Sequence, residues 1–307
     1  MDKKRNINDK SLLALLVFTL TFMIGSIMPA QAVEKWDKDY FAYGSGLSET
    51  QLADTKQLLG LPEDKELNKI VVSGSDYKQF TGMNMMDSSM YSSAVIQKTK
   101  EGSGVQVFIN TPNNITEIKD HQYMNAALTS GISDANIIVG SPIPVTGESA
   151  LIGVYKAFED AGYEINEEAT KVATDELSVV NEISQDNEEN DGFDSKDLSL
   201  AINEMKKQIS EISDKSSITI EDLTIIVNNA LNDNNISISE ENKEKLVNWL
   251  NDFKELDIDW NLIKEELSEL TDLISKKAEE VYKWGQESGF FAELWQSIKD
   301  FFKSLFN

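Results

Sequence analysis

Ser149 stands in the run Gly147-Glu148-Ser149-Ala150-Leu151, after an apolar stretch and before a helical one. A serine on a strand-to-helix turn is where the nucleophile of an α/β hydrolase sits. Two departures weaken that chemistry. The second glycine of the motif is Leu151, and the chain's single histidine, His121, precedes the serine, whereas the hydrolase base follows it. The alternative is structural: Thr146 caps the helix and Ser149 satisfies one of its first free amides. His121 falls in the first turns of another helix, where an imidazole can serve as base, metal ligand or simply a surface residue. With one histidine and no cysteine, a transition-metal site would rest mainly on carboxylates, so a surface or half-buried packing role is expected.

Three other groups could do chemistry. In the acidic run Asn187-Glu188-Glu189-Asn190-Asp191-Gly192-Phe193-Asp194, four residues match the first, third, fifth and sixth places of a calcium loop. The twelfth place, which needs a bidentate Glu, is Leu198, so a solvated linker is expected. Met83, Met85, Met86 and Met90 are soft ligands that could hold Cu(I). Methionines more often fill gaps under a loop. No metal and no cofactor are expected. The last group is an edge: Asn110, Thr111, Asn113, Asn114, Thr116, Thr146, Glu148 and Ser149 lie in two loops that follow apolar runs. If those runs are parallel strands, the loops emerge together at the end where open α/β sheets bind ligands.

The elements behind that edge can be read from the apolar pattern. Val105, Val107 and Ile109 alternate as a half-buried strand, and a turn and a helical segment follow. Ile137-Ile138-Val139 is a second strand, and a second helix follows the loop at 142–147. This strand-helix-strand-helix order makes the two strands parallel. Upstream, residues 37–46 read as an entry segment. A helix capped by Ser48 follows, then strands at 70–72 and 93–96, with a Gly- and Met-rich loop at 82–90 between them. The turn Glu101-Gly102-Ser103-Gly104 is expected to fold the 93–96 strand into a hairpin with the next one. The result is an α/β domain with a mixed sheet of about four strands. A helix leaves it after Glu167, an acidic break spans 184–194, and helices near 197–213, 219–233, 240–256, 260–284 and 290–305 form an all-α C-terminal region. The expected division is 1–32, 33–168, 169–196 and 197–307.

The first of those segments reads as a signal peptide. Lys3, Lys4, Arg5 and Lys10 precede an apolar core over 12–24, and Ala30-Gln31-Ala32 supplies a small-x-small cleavage site. The core falls short of the roughly 20 apolar residues a spanning helix needs. Cleavage would leave 24 basic and 51 acidic residues, a net charge of −27. Such a chain repels phosphate backbones, so no nucleic acid is expected as a partner. At the far end Phe290, Phe291, Leu294, Trp295, Ile298, Phe301, Phe302, Leu305 and Phe306 share one helical face. Glu293 and Asp300 cancel Lys299 and Lys303 on the other face, which disfavours anionic lipid. Docking on the preceding helices is expected, with membrane contact as the alternative.

The chain resembles a YpuA-like family of secreted, uncharacterised Firmicutes proteins. The resemblance rests on Gly46-Leu47-Ser48 with Gln51, on Ile115-Thr116, Tyr123, Asn125-Ala126 and Thr129-Ser130-Gly131-Ile132. It continues through Asp134-Ala135, Val145-Thr146-Gly147-Glu148-Ser149-Ala150-Leu151, Gly153, Ala157 and Glu176-Leu177. It implies an exported α/β-plus-helical protein of a Gram-positive cell and brings no catalytic residue. The expectation is a secreted, cell-wall-associated or free binding or scaffolding protein, with a cell-wall or protein partner. A secreted hydrolase acting around Ser149, or a membrane-surface protein acting through the last helix, is the alternative. Edges rich in amides and hydroxyls but poor in titratable groups favour binding.

Overall fold

The computed structural model describes residues 36–62, 64–190 and 192–275. The expected signal segment and the aromatic 290–305 helix lie outside these residues. In chain order the elements begin β1 (Tyr40–Gly44), α1 (Glu49–Leu58), β2 (Asn68–Val72), α2 (Gly74–Thr81), β3 (Ser93–Lys98) and β4 (Val105–Ile109). Then come α3 (Asp120–Thr129), β5 (Ala135–Gly140), α4 (Glu148–Asp160) and α5 (Glu167–Asp186). The helices α6 (Ser195–Glu211), α7 (Ile220–Asp233), α8 (Glu240–Lys254) and α9 (Trp260–Ser275) complete the described chain.

The strands form one mixed sheet in the order β2-β1-β3-β5-β4. β1 and β2 are parallel, as are β4 and β5, while β3 runs antiparallel to both of its neighbours. The expected crossover from β4 through α3 to β5 is present, with Val107 opposite Ile137 and Ile109 opposite Val139. An α/β half followed by helices is therefore the architecture, as the apolar pattern implies.

Three local expectations are corrected. The entry segment at 37–46 contains a full strand, β1, between β2 and β3. Tyr40, Phe41 and Ala42 are all buried, so both faces are covered and no alternation marks the strand. The expected hairpin between β3 and β4 does not form, because β5 lies between them. All six residues of β5 are buried, which fits an interior position, while β4 keeps the outer edge with Phe108 and Ile109 half-buried. Asp134 ties the connecting turn across that gap. Its Oδ1 accepts from the Ser103 amide at 2.8 Å, and Lys98 Nζ lies 3.5 Å from its Oδ2. Finally, the stretch after β2 holds a helix, α2, closed by Gly82 with φ 75°.

One apolar face of the sheet carries Tyr40, Ala42, Val72, Ala94, Ile96, Ile137 and Val139, under α4 and the helices beyond it. The other face is small: Phe41, Val95 and Ile138 pack under Leu52 and Leu59 of α1 and its exit. Gly153 sets the approach of α4 to the sheet, since a Cβ there would sit 2.6 Å from Ala42 Cβ. Helix α3 packs on β4 and turns its far side to α5, α6 and α9. Through it the buried apolar cluster runs unbroken from the sheet into the helical half, as far as Ile274.

Candidate functional site

The two loops at the C-terminal ends of β4 and β5 do emerge side by side, and they are laced to each other. Ile115 and Val145 form a parallel bridge. Asn114 Nδ2 donates to the Ser141 carbonyl at 2.8 Å, and the Val145 amide donates to the Asn114 carbonyl at 2.8 Å. Thr111 Oγ1 accepts from the Ser141 amide at 2.9 Å. Thr116 donates from both its amide and its hydroxyl to the Val145 carbonyl. Asn110 Nδ2 reaches back to the Leu58 carbonyl at the end of α1, at 3.2 Å. Beneath the loops Tyr123 donates to the Gly147 carbonyl at 2.7 Å. Gly147 has φ 119°, and a Cβ there would collide with that tyrosine hydroxyl. Of the edge residues, Asn113 and Thr116 are exposed, Asn114, Thr146 and Glu148 are half-buried, and Thr111 and Ser149 are buried.

Ser149 is built into the start of α4. Its hydroxyl donates to the Ser92 carbonyl at 3.0 Å and lies 2.6 Å from Ser92 Oγ. A hydroxyl has one proton, so that proton is held by a carbonyl and the Ser92 hydroxyl donates to Ser149. The Ala150 amide in turn donates to Ser92 Oγ at 2.9 Å. The cap is thus supplied by Ser92, just before β3, and the expected capping by Thr146 is corrected. Gly147 occupies the cap position, and Thr146 Oγ1 donates to Glu148 Oε2 at 2.8 Å instead.

His121 lies elsewhere, at the joint of α3 and α6. The expected surface or half-buried position is corrected: the residue is buried, 8 % exposed, and its Nδ1 is 2.8 Å from Oγ of Ser199, which is fully buried, because α6 packs over this end of α3. Burial pushes the imidazole below its ordinary value of 6.5. The carboxylates of Asp120 and Asp194 oppose that shift, and Lys119 and Lys196 add to it. This contact is the first rung of a polar seam between two helices running the same way. One turn on stand Asn125 of α3 and Asn203 of α6, both buried; Asn125 Oδ1 and both amide atoms of Asn203 lack a partner among the described residues. At the far rung Lys206 Nζ donates to Thr129 Oγ1 at 2.9 Å and pairs with Glu176 of α5 at 2.7 Å, the two charged side chains being 1 % and 2 % exposed. Burial lowers the lysine's pKa, and Glu176 opposes the shift. Asn125, Thr129 and Glu176 are among the residues that carried the family resemblance.

Among the described residues no group of three or more His, Cys, Asp or Glu side chains is placed to hold a metal ion. Helix α5 continues to Asp186, so the expected break is shorter than 184–194. Asn187 is buried, donating to the Ile183 carbonyl at 2.7 Å and accepting from Asn190 at 2.7 Å. Met90 is in the core, whereas Met83 and Met86 are exposed.

Open space lies one step along the chain from the laced edge. A cleft of about 440 Å³ separates the β4–α3 loop from the turn between α5 and α6. Thr116, Glu117 and Lys119 form one wall, and Asn181, Ser184 and Gln185 of α5 another. Glu188, Phe193, Asp194 and Ser195 close it at the turn. Ser184 Oγ is buried with no partner among the described residues, and Asn181 Oδ1 accepts from Gln122 Nε2 at 2.8 Å. Phe193 is half-buried against the main core. Only Thr116 of the expected edge belongs to this cleft. The others were missed because the walls come from segments some 70 residues apart, and no local spacing in the sequence joins them.

Comparison with known proteins agrees with the resemblance and adds no activity. A family model described as a protein of unknown function (DUF1002) matches residues 43–270, from β1 into α9. The uncharacterized protein YpuA of Bacillus subtilis (strain 168) is 27% identical over 270 residues, covering 85% of this chain and 88% of that protein. No solved structure matches. Sheet and helical half are thus spanned by a single family model, and the chain belongs to this family of proteins of unknown function.

Proposed function

We propose that this is an exported, non-enzymatic binding protein of the cell envelope, whose ligand sits in the cleft between the β4–α3 loop and the α5–α6 turn. One observation carries the reading. The polar groups of the sheet edge are bonded to one another, while the cleft beside it is open space lined by the amide residues Asn181 and Gln185 and by the half-buried ring of Phe193. A cleft of this size suits a small ligand or one segment of a larger one. The serine and the histidine that could start a hydrolysis are apart, each committed to a different buried serine. Export is supported by the N-terminal basic-apolar-small pattern.

Fractionation of cells producing the full chain tests this. The parent protein is expected in the envelope fraction. Lys119→Glu combined with Gln185→Ala should release it to the medium, while Asn113→Ala on the edge leaves it bound. Equal retention of all three proteins would rule out the cleft as the binding site.

A further inference from the structure

We infer that the ligand class of this cleft is a neutral, hydroxyl-rich saccharide, an assignment that rests on the binding reading above. Three features of the walls point to it. Gln185 lines the cleft with a planar amide able to donate and accept, Asn181 adds an amide whose Oδ1 already accepts from Gln122, and the Thr116 hydroxyl, its proton on the Val145 carbonyl, is left to accept. Such paired donor–acceptor groups match vicinal sugar hydroxyls, which also do both. Phe193 supplies one ring on the cleft wall, held by its contact with the core, and an aromatic face packs against the C–H face of a pyranose. Charge excludes the main competitors. Glu117, Glu188 and Asp194 outnumber Lys119, and the whole chain is acidic, so a phosphate-rich polymer or a nucleic acid is repelled. A purely apolar ligand would strip water from the amides and carboxylates without replacing their hydrogen bonds.

The probe is a soluble N-acetylglucosamine oligomer, titrated calorimetrically into the chain from residue 33 onward at moderate and at high salt. Saturable binding that survives high salt is expected, because a neutral sugar makes no ion pairs. Gln185→Ala, an exposed position, should weaken it at least about tenfold, a loss of ~1.4 kcal/mol. Phe193→Leu keeps the apolar packing and removes the ring, and should weaken it similarly. A deacetylated, amine-bearing oligomer that binds only at low salt, with the neutral one silent, would show electrostatic attraction alone and overturn the inference. If the neutral oligomer does not bind but the cleft variants still leave the envelope fraction, the saccharide assignment falls and the binding reading stands. If neither the oligomer nor the fractionation responds to the cleft variants, both fall.

Discussion

His121 is the residue at which the folded state is most open to a simple test. Burial holds its folded-state pKa below the unfolded value of 6.5, so on acidification the unfolded chain takes the proton first. Stability from the neutral ring is complete above that value and is lost as pH falls through the folded pKa. The slope cannot exceed ~1.4 kcal/mol per pH unit for one proton. We predict that urea-unfolding free energies decline from pH 7 downward in the parent and stay flat over that window in His121→Asn. An identical decline in both would contradict the assignment. Carboxylates in caps act lower: the Thr219 amide, with its hydroxyl, holds Asp222 below its ordinary 3.8, and stability from it is lost only as pH falls through that range. The sequence located His121 on a helix but not at a buried joint, because its partner Ser199 is 78 residues away. Ser149 was legible as a helix-start residue, and the hydroxyl that completes the cap was not, since Ser92 lies just before β3, 57 residues away.

Among elements, the seam between α3 and α6 governs how the helical half is held to the sheet. Its ends are satisfied and its middle is not. Replacing a buried, unpartnered amide by an apolar group of similar shape removes a desolvation cost, so Asn203→Leu should raise stability by about 1–2 kcal/mol. A loss of that size instead would mean that Asn203 has a partner in solution. The Lys206–Glu176 pair behaves in the opposite way. Removing one charge strands the other in the core, and Lys206→Met should cost about 3–5 kcal/mol, most of it recovered by adding Glu176→Leu. Chemical denaturation of the two single variants and the double variant measures that coupling; additive losses would contradict it. Element existence was largely legible: every helix from α5 to α9 follows its 3.6-residue apolar pattern. Helix α2 could have been found from Ser73 and Asp76, whose reciprocal capping bonds the structure shows. Strand order was not legible, because β5 inserts between β3 and β4 through contacts that no turn residue encodes.

At the scale of the whole molecule, one apolar cluster links sheet and helices, with α3 as the shared layer. A chain cut after Asp186 would expose the side of α3 that meets α6 and α9, and should not fold to a stable state. The chain from residue 33 onward should melt in one transition followed alike by near-ultraviolet and far-ultraviolet dichroism. Two separated transitions would show that the halves are independent. What the sequence could not convey at this scale is the cleft, whose walls join only once α5 and α6 fold back beside the β4–α3 loop. The most direct test of that cleft places a photo-activated cross-linker at Gln185 in one variant and at Asn113 in another, in cells producing the full chain. Envelope material cross-linked from position 185 and not from 113 is the predicted result. Adducts from 113 alone would place binding on the laced edge and contradict the account.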